Sequence, residues 1–495
     1  MNSLNKQNAP DQEIFNYPEK ALFFGTGVLL RGLPLYFIDQ ANKQGVFKGR
    51  VVVVKSTSRG DISAYSEQDG CFTSVVRGIA NGKEVEQNII NCAISRVLTA
   101  SDEWDEILAV AQSPDLAVVV SNTTEVGITY EEESIFGNPP SSFPAKLLAI
   151  LHKRYETFGG DTQKGLIVVP TELISENGKM LHGIVNQLAA YNRLDVAFVS
   201  WLNEANRFCN SLVDRIVPGE IKGDLKTELE GEFGYRDDLM LMAEPYRLWA
   251  IEGDGSIKSK LSFHEVDAGV KIESSIEKYK ELKLRLLNAP HTFCTGLAHL
   301  AGFEMVKEAM RDEAFLEFIR GLMFDEIAKS LDPNIDAAEI NDFAEAVIDR
   351  FSNSHLDHKW LSISLNYTSK IKMRCVKLIE SWYAKSPTER SHMAFGFASY
   401  LRFMKVEREE NGKYYGHANG QDYALNDPEA GQLMALWNST DDVPTLVANV
   451  LKAEELWETD LTRLQGFQAD VTAFLKDIME SPKFGLELFN QTVRE

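Results

Sequence analysis

Cysteine is sparse in this chain, with Cys71, Cys92, Cys209, Cys294 and Cys375 standing far apart and no C-x-x-C among them. An odd, scattered set supports neither a disulfide framework nor a zinc ribbon, and reduced, mostly buried thiols are expected. No apolar run approaches the roughly 20 residues of a membrane helix, which excludes a helical membrane protein. The opening residues MNSLNKQNAPDQEIF lack the apolar core of a signal peptide, so the expected compartment is the cytoplasm. Positive charge is short as well: 51 Lys and Arg against 73 Asp and Glu leave a formal charge of −22. That mean field repels polyphosphate backbones, and no basic patch is concentrated enough to override it, so neither nucleic acid nor a membrane is an expected partner. A small anionic ligand remains compatible, since it needs only two or three local cations.

What is present is a globular composition, 44% hydrophobic and 25% charged, over 495 residues. One hydrophobic core serves roughly 250 to 300 residues, so two domains are expected. In the first half, ALFFGTG, RVVVVKS, DLAVVVSN, GLIVVPTE and DVAFVSWLN read as short strands, each followed by enough chain for a helix. That alternation predicts an α/β, Rossmann-like doubly wound parallel sheet. From about residue 275 the periodicity becomes helical, as in SSIEKYKELKLRLLNAP and EAFLEFIRGLMFDEIAKSL, and a mostly α-helical second domain is expected. The polar stretch after Gly253-Asp254-Gly255 reads as the connection between a dinucleotide-binding domain, 1–274, and a substrate domain, 275–495.

The strand ALFF runs into Gly25-Thr26-Gly27-Val28-Leu29-Leu30-Arg31-Gly32. A strand, a tight glycine turn and a helix start bring free N–H groups up to a pyrophosphate. The third glycine of the usual fingerprint is replaced by Leu30. Gly25, Thr26, Gly27, Val28 and Leu29 form the expected cofactor turn, with Arg31 beside them. The second strand ends in Lys55-Ser56-Thr57-Ser58-Arg59 rather than in an acid, and the first acid is Asp61. Lys55, Ser56 and Arg59 could accept a 2′-phosphate, with Ser56 counted among the cofactor-binding residues; NAD is the expected cofactor and NADP stays open. Asn122 and Thr123, after the next strand, are expected near the nicotinamide half.

A base, an amide and an imidazole then occur together in Lys283-Leu-Arg-Leu-Leu-Asn288-Ala-Pro-His291. On an unbroken helix Asn288 stands about 140° and His291 about 80° from Lys283, so the three fit one cleft. Pro290 disfavours helix at Ala289 and reads as the first residue of a new one, leaving the trio around a junction. Ketone reduction needs a proton donor beside the developing alkoxide and hydrogen-bond donors aimed at the carbonyl oxygen. A partly desolvated lysine in general exchanges such a proton without a metal.

The spacing K-x4-N-x2-H after a Rossmann-like half resembles the signature of the mannitol dehydrogenase family of long-chain polyol dehydrogenases. Further matches are Gly25-Thr-Gly27-x3-Arg31-Gly32, Asn210-Ser-Leu-Val-Asp214-Arg215-Ile-Val-Pro218, Glu244-Pro-Tyr-x2-Trp249 and Ser369-Lys370. The resemblance implies an NAD-dependent oxidoreductase in which Lys283 is the general acid/base, Asn288 and His291 hold the substrate oxygen, and Asp214 and Lys370 face the substrate. Polyol-oxidising members carry an Asp-Asn pair where this chain has Thr171-Glu172, which disfavours mannitol itself. Pro170-Thr-Glu172-Leu-Ile-Ser-Glu-Asn177-Gly178 and His358-Lys359-Trp360-Leu-Ser-Ile-Ser-Leu-Asn366 resemble the tagaturonate reductase branch, with fructuronate reductase and mannitol-type dehydrogenases as alternatives. For a hexuronate substrate, Lys370, Lys372 and Arg374 lie close in sequence where the family's substrate lysine falls and are the expected carboxylate partners, one or more of them pairing with it; the competing reading is that alternate residues of an extended or irregular stretch simply face solvent.

Two readings from other classes were weighed. His355-Leu-Asp-His358 lacks a well-placed third ligand for a metal enzyme, so no metal is expected. A non-catalytic dinucleotide-binding protein would have no use for Lys283, Asn288 and His291 together. The oligomeric state stays open, a monomer included.

Overall fold

The computed structural model describes residues 1–56, 60–124, 126–386 and 390–494. The chain forms two compact units, one of 1–77 with 84–279 and the other of 78–83 with 280–495.

The first unit is built on six parallel strands: β1 (Glu19–Phe24), β2 (Arg50–Lys55), β3 (Ile94–Thr99), β4 (Val118–Ser121), β5 (Ile167–Pro170) and β6 (Arg207–Phe208). Their order across the sheet is 3-2-1-4-5-6, the doubly wound arrangement with a switch point between β1 and β4. Phe23, Val51, Val53 and Val120 belong to one buried cluster, and Phe24, Val52, Val54 and Val119 to another. Both sheet faces are therefore covered, which is why these strands read as unbroken apolar runs instead of alternating ones. The helix Pro34–Lys43 covers the first face; Phe143–Phe158 and Asn177–Tyr191 cover the second.

One expected strand is wrong: within DVAFVSWLN, Val196–Ala205 is a helix. Asp195 accepts a hydrogen bond from Ala197 N at 2.8 Å and so caps the helix start. Phe198, Trp201 and Leu202 are buried while Val196 is exposed, a three-to-four-residue period that a strand cannot present. The last sheet strand is instead the two-residue β6 that follows.

The Gly253-Asp254-Gly255 stretch is not a linker either. Asp254 accepts from Ser256 N at 2.7 Å and starts a short helix, Gly255–Lys258. The chain then forms Val270–Glu273, which pairs in parallel with Leu248–Glu252, itself antiparallel to Ser211–Asp214. The first unit continues to Tyr279, inside the helix Glu277–Leu282.

The second unit is mostly helical, with one small sheet of Arg408–Glu410, Lys413–Ala418 and Gln421–Leu425. At its centre the helices Ala289–Leu300 and His392–Phe403 are buried nearly all round. Glycine lets them approach: a Cβ at Gly296 would lie 2.7 Å from the Ser399 carbonyl oxygen, and one at Gly396 would lie 2.9 Å from Phe293. The buried Glu326 anchors the second helix, accepting from Ser391 Oγ at 2.7 Å, His392 N at 2.5 Å and Met393 N at 3.0 Å. Three helical stretches widen to π geometry, at Lys283–Asn288, Gly321–Ile327 and Ile371–Cys375. No described helix is long and apolar enough to cross a membrane.

Candidate functional site

In the first unit the carboxyl ends of β1, β2, β4 and β5 carry the candidate cofactor residues. Gly25 closes β1 with φ +125°, and a Cβ there would sit 2.6 Å from the Asn122 carbonyl oxygen, so only glycine fits. Gly27 is exposed and precedes Val28–Gly32, a helix of just over one turn that stops at Leu33 before Pro34. Thr26, Val28 and Leu29 are half-buried around this turn. Gly32 does the packing assigned to the missing third glycine: a Cβ there would meet Val217 at 2.6 Å.

Arg31 is corrected by the structure. It is buried, donates to the Leu239 carbonyl at 2.6 Å and to Glu220 at 2.7 Å, and lies over the rings of Tyr65 and Phe72. One turn of helix turns it away from Gly27 and into the core, so its guanidinium fastens the glycine-turn helix instead of binding a phosphate. Lys55 is likewise buried with Nζ on the Gly60 carbonyl, and Asp61 accepts from Ser63 N at 2.9 Å in the turn before the helix Ser63–Glu67. Ser56 keeps a buried Oγ with no hydrogen-bond partner. Arg59 lies outside the described residues, as do Thr57, Ser58 and Glu125.

Asn122 and Thr123 are tied to the Thr171-Glu172 pair on the neighbouring strand. Asn122 Nδ2 donates to Thr171 Oγ1 at 3.1 Å. The buried carboxylate of Glu172 accepts from Thr123 N at 2.8 Å, Thr123 Oγ1 at 3.0 Å and Ser121 Oγ at 3.1 Å. Asn177, buried, holds the turn behind them: Nδ2 donates to the carbonyls of Pro170, Glu172 and Ser211 at 3.0–3.1 Å, and Oδ1 accepts from Gly178 N and Ser211 N at 2.9 Å. Asp214 is buried at the end of its strand, opposite Leu248. Its neighbour Arg215 donates to the Gly32 carbonyl at 2.6 Å and stacks on Tyr36 at 4.7 Å; burial lowers its pKa to about 10.

In the second unit, residues 280–300 are helical without interruption, and Lys283–Asn288 is the π segment. Pro290 therefore does not break the path. The widened turn takes up the missing N–H and the ring that would clash with a regular preceding turn. Bonds spaced five residues apart place Lys283 and Asn288 on neighbouring turns of one face, where a regular helix would leave them about 140° apart. His291, three residues on from Asn288, continues that face. Lys283 and Asn288 are half-buried and His291 is buried.

His291 stacks on Phe351 with ring centroids 3.9 Å apart and meets the edges of His358 at 5.2 Å and Trp360 at 6.1 Å. Burial, then the charges of His358, Arg350, Arg374 and Lys370, push its pKa well below the ordinary imidazole value. The ring is neutral at pH 7, and its Nε2 is buried without a hydrogen-bond partner. Lys370 Nζ donates to the Ile363 carbonyl at 2.7 Å, and Arg374 Nη1 to Thr292 Oγ1 at 3.2 Å. Both have lowered pKa values, chiefly from burial.

Residues 370–374 are helical and not the extended or irregular stretch of the solvent-facing reading, running from Tyr367–Lys370 into the π segment Ile371–Cys375. Residues two apart on a helix point different ways, and Lys372 pairs with Glu458 at 3.1 Å on the surface, apart from Lys370 and Arg374. Arg285 clasps the two π segments together, donating to the carbonyls of Met373 at 3.3 Å and Arg374 at 2.6 Å. His358, Trp360, Phe351 and Thr292 are site residues that sequence reasoning did not single out. The first two stand within His358-Lys359-Trp360, which carried the signal without a role.

Residues 19–265 match the family described as Mannitol dehydrogenase Rossmann domain, and residues 275–479 the one described as Mannitol dehydrogenase C-terminal domain. Altronate oxidoreductase of Halalkalibacterium halodurans is 37% identical over 474 residues, 94% of this chain and 91% of that one. The enzyme of the same name from Bacillus subtilis is 35% identical over 467 residues, 94% and 93% of the two chains. Among solved structures, D-sorbitol dehydrogenase in substrate-free form is 20% identical with a TM-score of 0.78, covering 98% of this chain and 100% of the other. Pseudomonas fluorescens mannitol 2-dehydrogenase, in a ternary complex with NAD and D-mannitol, is 22% identical with a TM-score of 0.65, covering 99% of each. Both share the fold.

Proposed function

The chain belongs to the mannitol dehydrogenase family and is an oxidoreductase acting on CH–OH groups, and from that premise we propose that it reversibly reduces D-tagaturonate to D-altronate in hexuronate breakdown. The name shared by its bacterial relatives supports the reading. The observation that carries it is local: Lys370 and Arg374, both partly desolvated, stand with His358 around a neutral His291. Lys370 already feels the Asp427 carboxylate, whereas Arg374 has no carboxylate among the groups acting on it, and a sugar acid, unlike a polyol, supplies one.

A nicotinamide dinucleotide, when bound, supplies or accepts the hydride. The first unit suits it through a cradle at Gly25 that a Cβ would fill, an exposed Gly27, and the unpartnered Ser56 hydroxyl where a ribose is expected. Lys55, already on a backbone carbonyl, favours NAD over NADP.

The chain's own residues handle the proton and the charges. Lys283 gives a proton to the ketone oxygen as the alkoxide develops and takes it back in oxidation. Asn288 and the Nε2–H of neutral His291 donate to that oxygen, and a neutral imidazole does so without competing for Lys283's charge. Lys370 and Arg374 hold the carboxylate, and no metal is required.

NADH oxidation by the purified chain is the test. Tagaturonate should give the highest kcat/KM and survive a chelator; equal or better rates with fructuronate, fructose or another ketose would defeat the substrate assignment. Lys283→Ala should lower kcat by roughly 10²- to 10⁴-fold with NADH affinity unchanged. Turnover at the wild-type level in that variant removes the lysine from the mechanism.

A further inference from the structure

Glu172 is an acid at the carboxyl end of β5, 3% exposed, and its partners are three neutral donors from the end of β4 and the residues just after it. Ser121 and Thr123 satisfy the carboxylate without neutralising it. The same segment supplies the Asn122 carbonyl that closes over Gly25, and Asn122 Oδ1 lies 4.0 Å from where a Cβ of Gly27 would be. Glycine turn, Asn122-Thr123 and Thr171-Glu172 are thus one connected wall, backed by Asn177. In a doubly wound sheet the ligand lies outside these strand ends.

We propose that Glu172 is a positioning residue that also tunes the bound cofactor, fixing the Ser121–Thr123 segment and biasing binding toward oxidised NAD+. The inference rests on the dinucleotide reading above. The nicotinamide ring of NAD+ is cationic and that of NADH is neutral, so a buried carboxylate whose hydrogen-bond partners among the described residues are all neutral discriminates between them through space. Relatively tighter binding of the oxidised form makes bound NADH the stronger hydride donor, which suits a reductase.

Dissociation constants for NAD+ and NADH, measured on the full chain by calorimetry for wild type, Glu172→Gln and Glu172→Asp, test this. Glu172→Gln should lower NAD+ affinity relative to NADH by about tenfold. Glu172→Asp keeps the charge on a shorter stem, so it should weaken both forms while preserving the ratio. Equal weakening of both forms in Glu172→Gln, or no change in either, overturns the tuning role. If the wild-type chain binds neither form, the dinucleotide reading fails first and takes this inference with it.

Discussion

Lys372 and Arg374 look alike in the sequence, but the fold gives them opposite tasks. Arg374 is half-buried and reaches Thr292, a residue hydrogen-bonded to the Asn288 carbonyl at 2.8 Å, whereas Lys372 sits in a surface pair with Glu458. Surface pairs of that kind contribute little. Arg374→Ala should raise KM for the uronate by roughly 10²-fold, the loss of a charge-assisted contact, and Lys372→Ala should stay within about twofold of wild type. Steady-state kinetics on the two variants separates them, and equal losses would return Lys372 to the site. The same contrast applies to Arg31: its place beside the glycine turn put it among the expected cofactor residues, whereas its side chain is directed to the Leu239 carbonyl and Glu220.

Elements in the first unit are fastened by buried polar groups that no periodicity announces. Arg154, 1% exposed, donates to the carbonyls of Ala111 at 2.9 Å, Ser113 at 2.8 Å and Leu116 at 2.9 Å, and to that of Lys164. It joins the helix Phe143–Phe158 to the helix end and loop before β4 and to the turn before β5, with no acid among these partners. Arg154→Met keeps the stem but strands those carbonyls, and should cost about 3–5 kcal/mol. Denaturant melts would show it, and an unchanged midpoint would mean the loops find other donors. In the second unit Arg285 does a similar job for two π segments, and the trio Lys283, Asn288 and His291 shares a face only because the first of them is widened.

Across the whole molecule, acid should act on the helical half first. His291, His299 and His358 belong to that unit, and burial lowers the pKa of each. For a base with a lowered folded pKa, the unfolded chain takes up the proton first. The stability held by these neutral rings is present above about pH 6.5 and is lost progressively as pH falls from there to the folded values. Each histidine contributes a slope of at most about 1.4 kcal/mol per pH unit in that window. Tm should therefore drop between about pH 7.5 and 5.5, and His299→Gln, which removes one titrating ring packed on Tyr423 at 4.4 Å, should flatten the fall. A Tm indifferent to pH over that range would contradict the assignment.

The parallel sheet, the glycine turn and the family were legible in the sequence because each depends on local pattern: β-branched runs buried on both faces, a φ open only to glycine at Gly25, and the spacing K-x4-N-x2-H. The helix at Val196–Ala205 was misread because its apolar residues are dense enough to hide their period, and a cap at Asp195 settled it. What tertiary structure alone decided was direction and partner. Whether Arg31 meets solvent or core, whether Glu172 faces a ligand or Thr123, and whether Lys283 lines up with Asn288 all depend on neighbours distant in the chain and on one widened helical turn. Sequence spacing fixes how far apart two residues stand along the backbone, while packing fixes which way their side chains point.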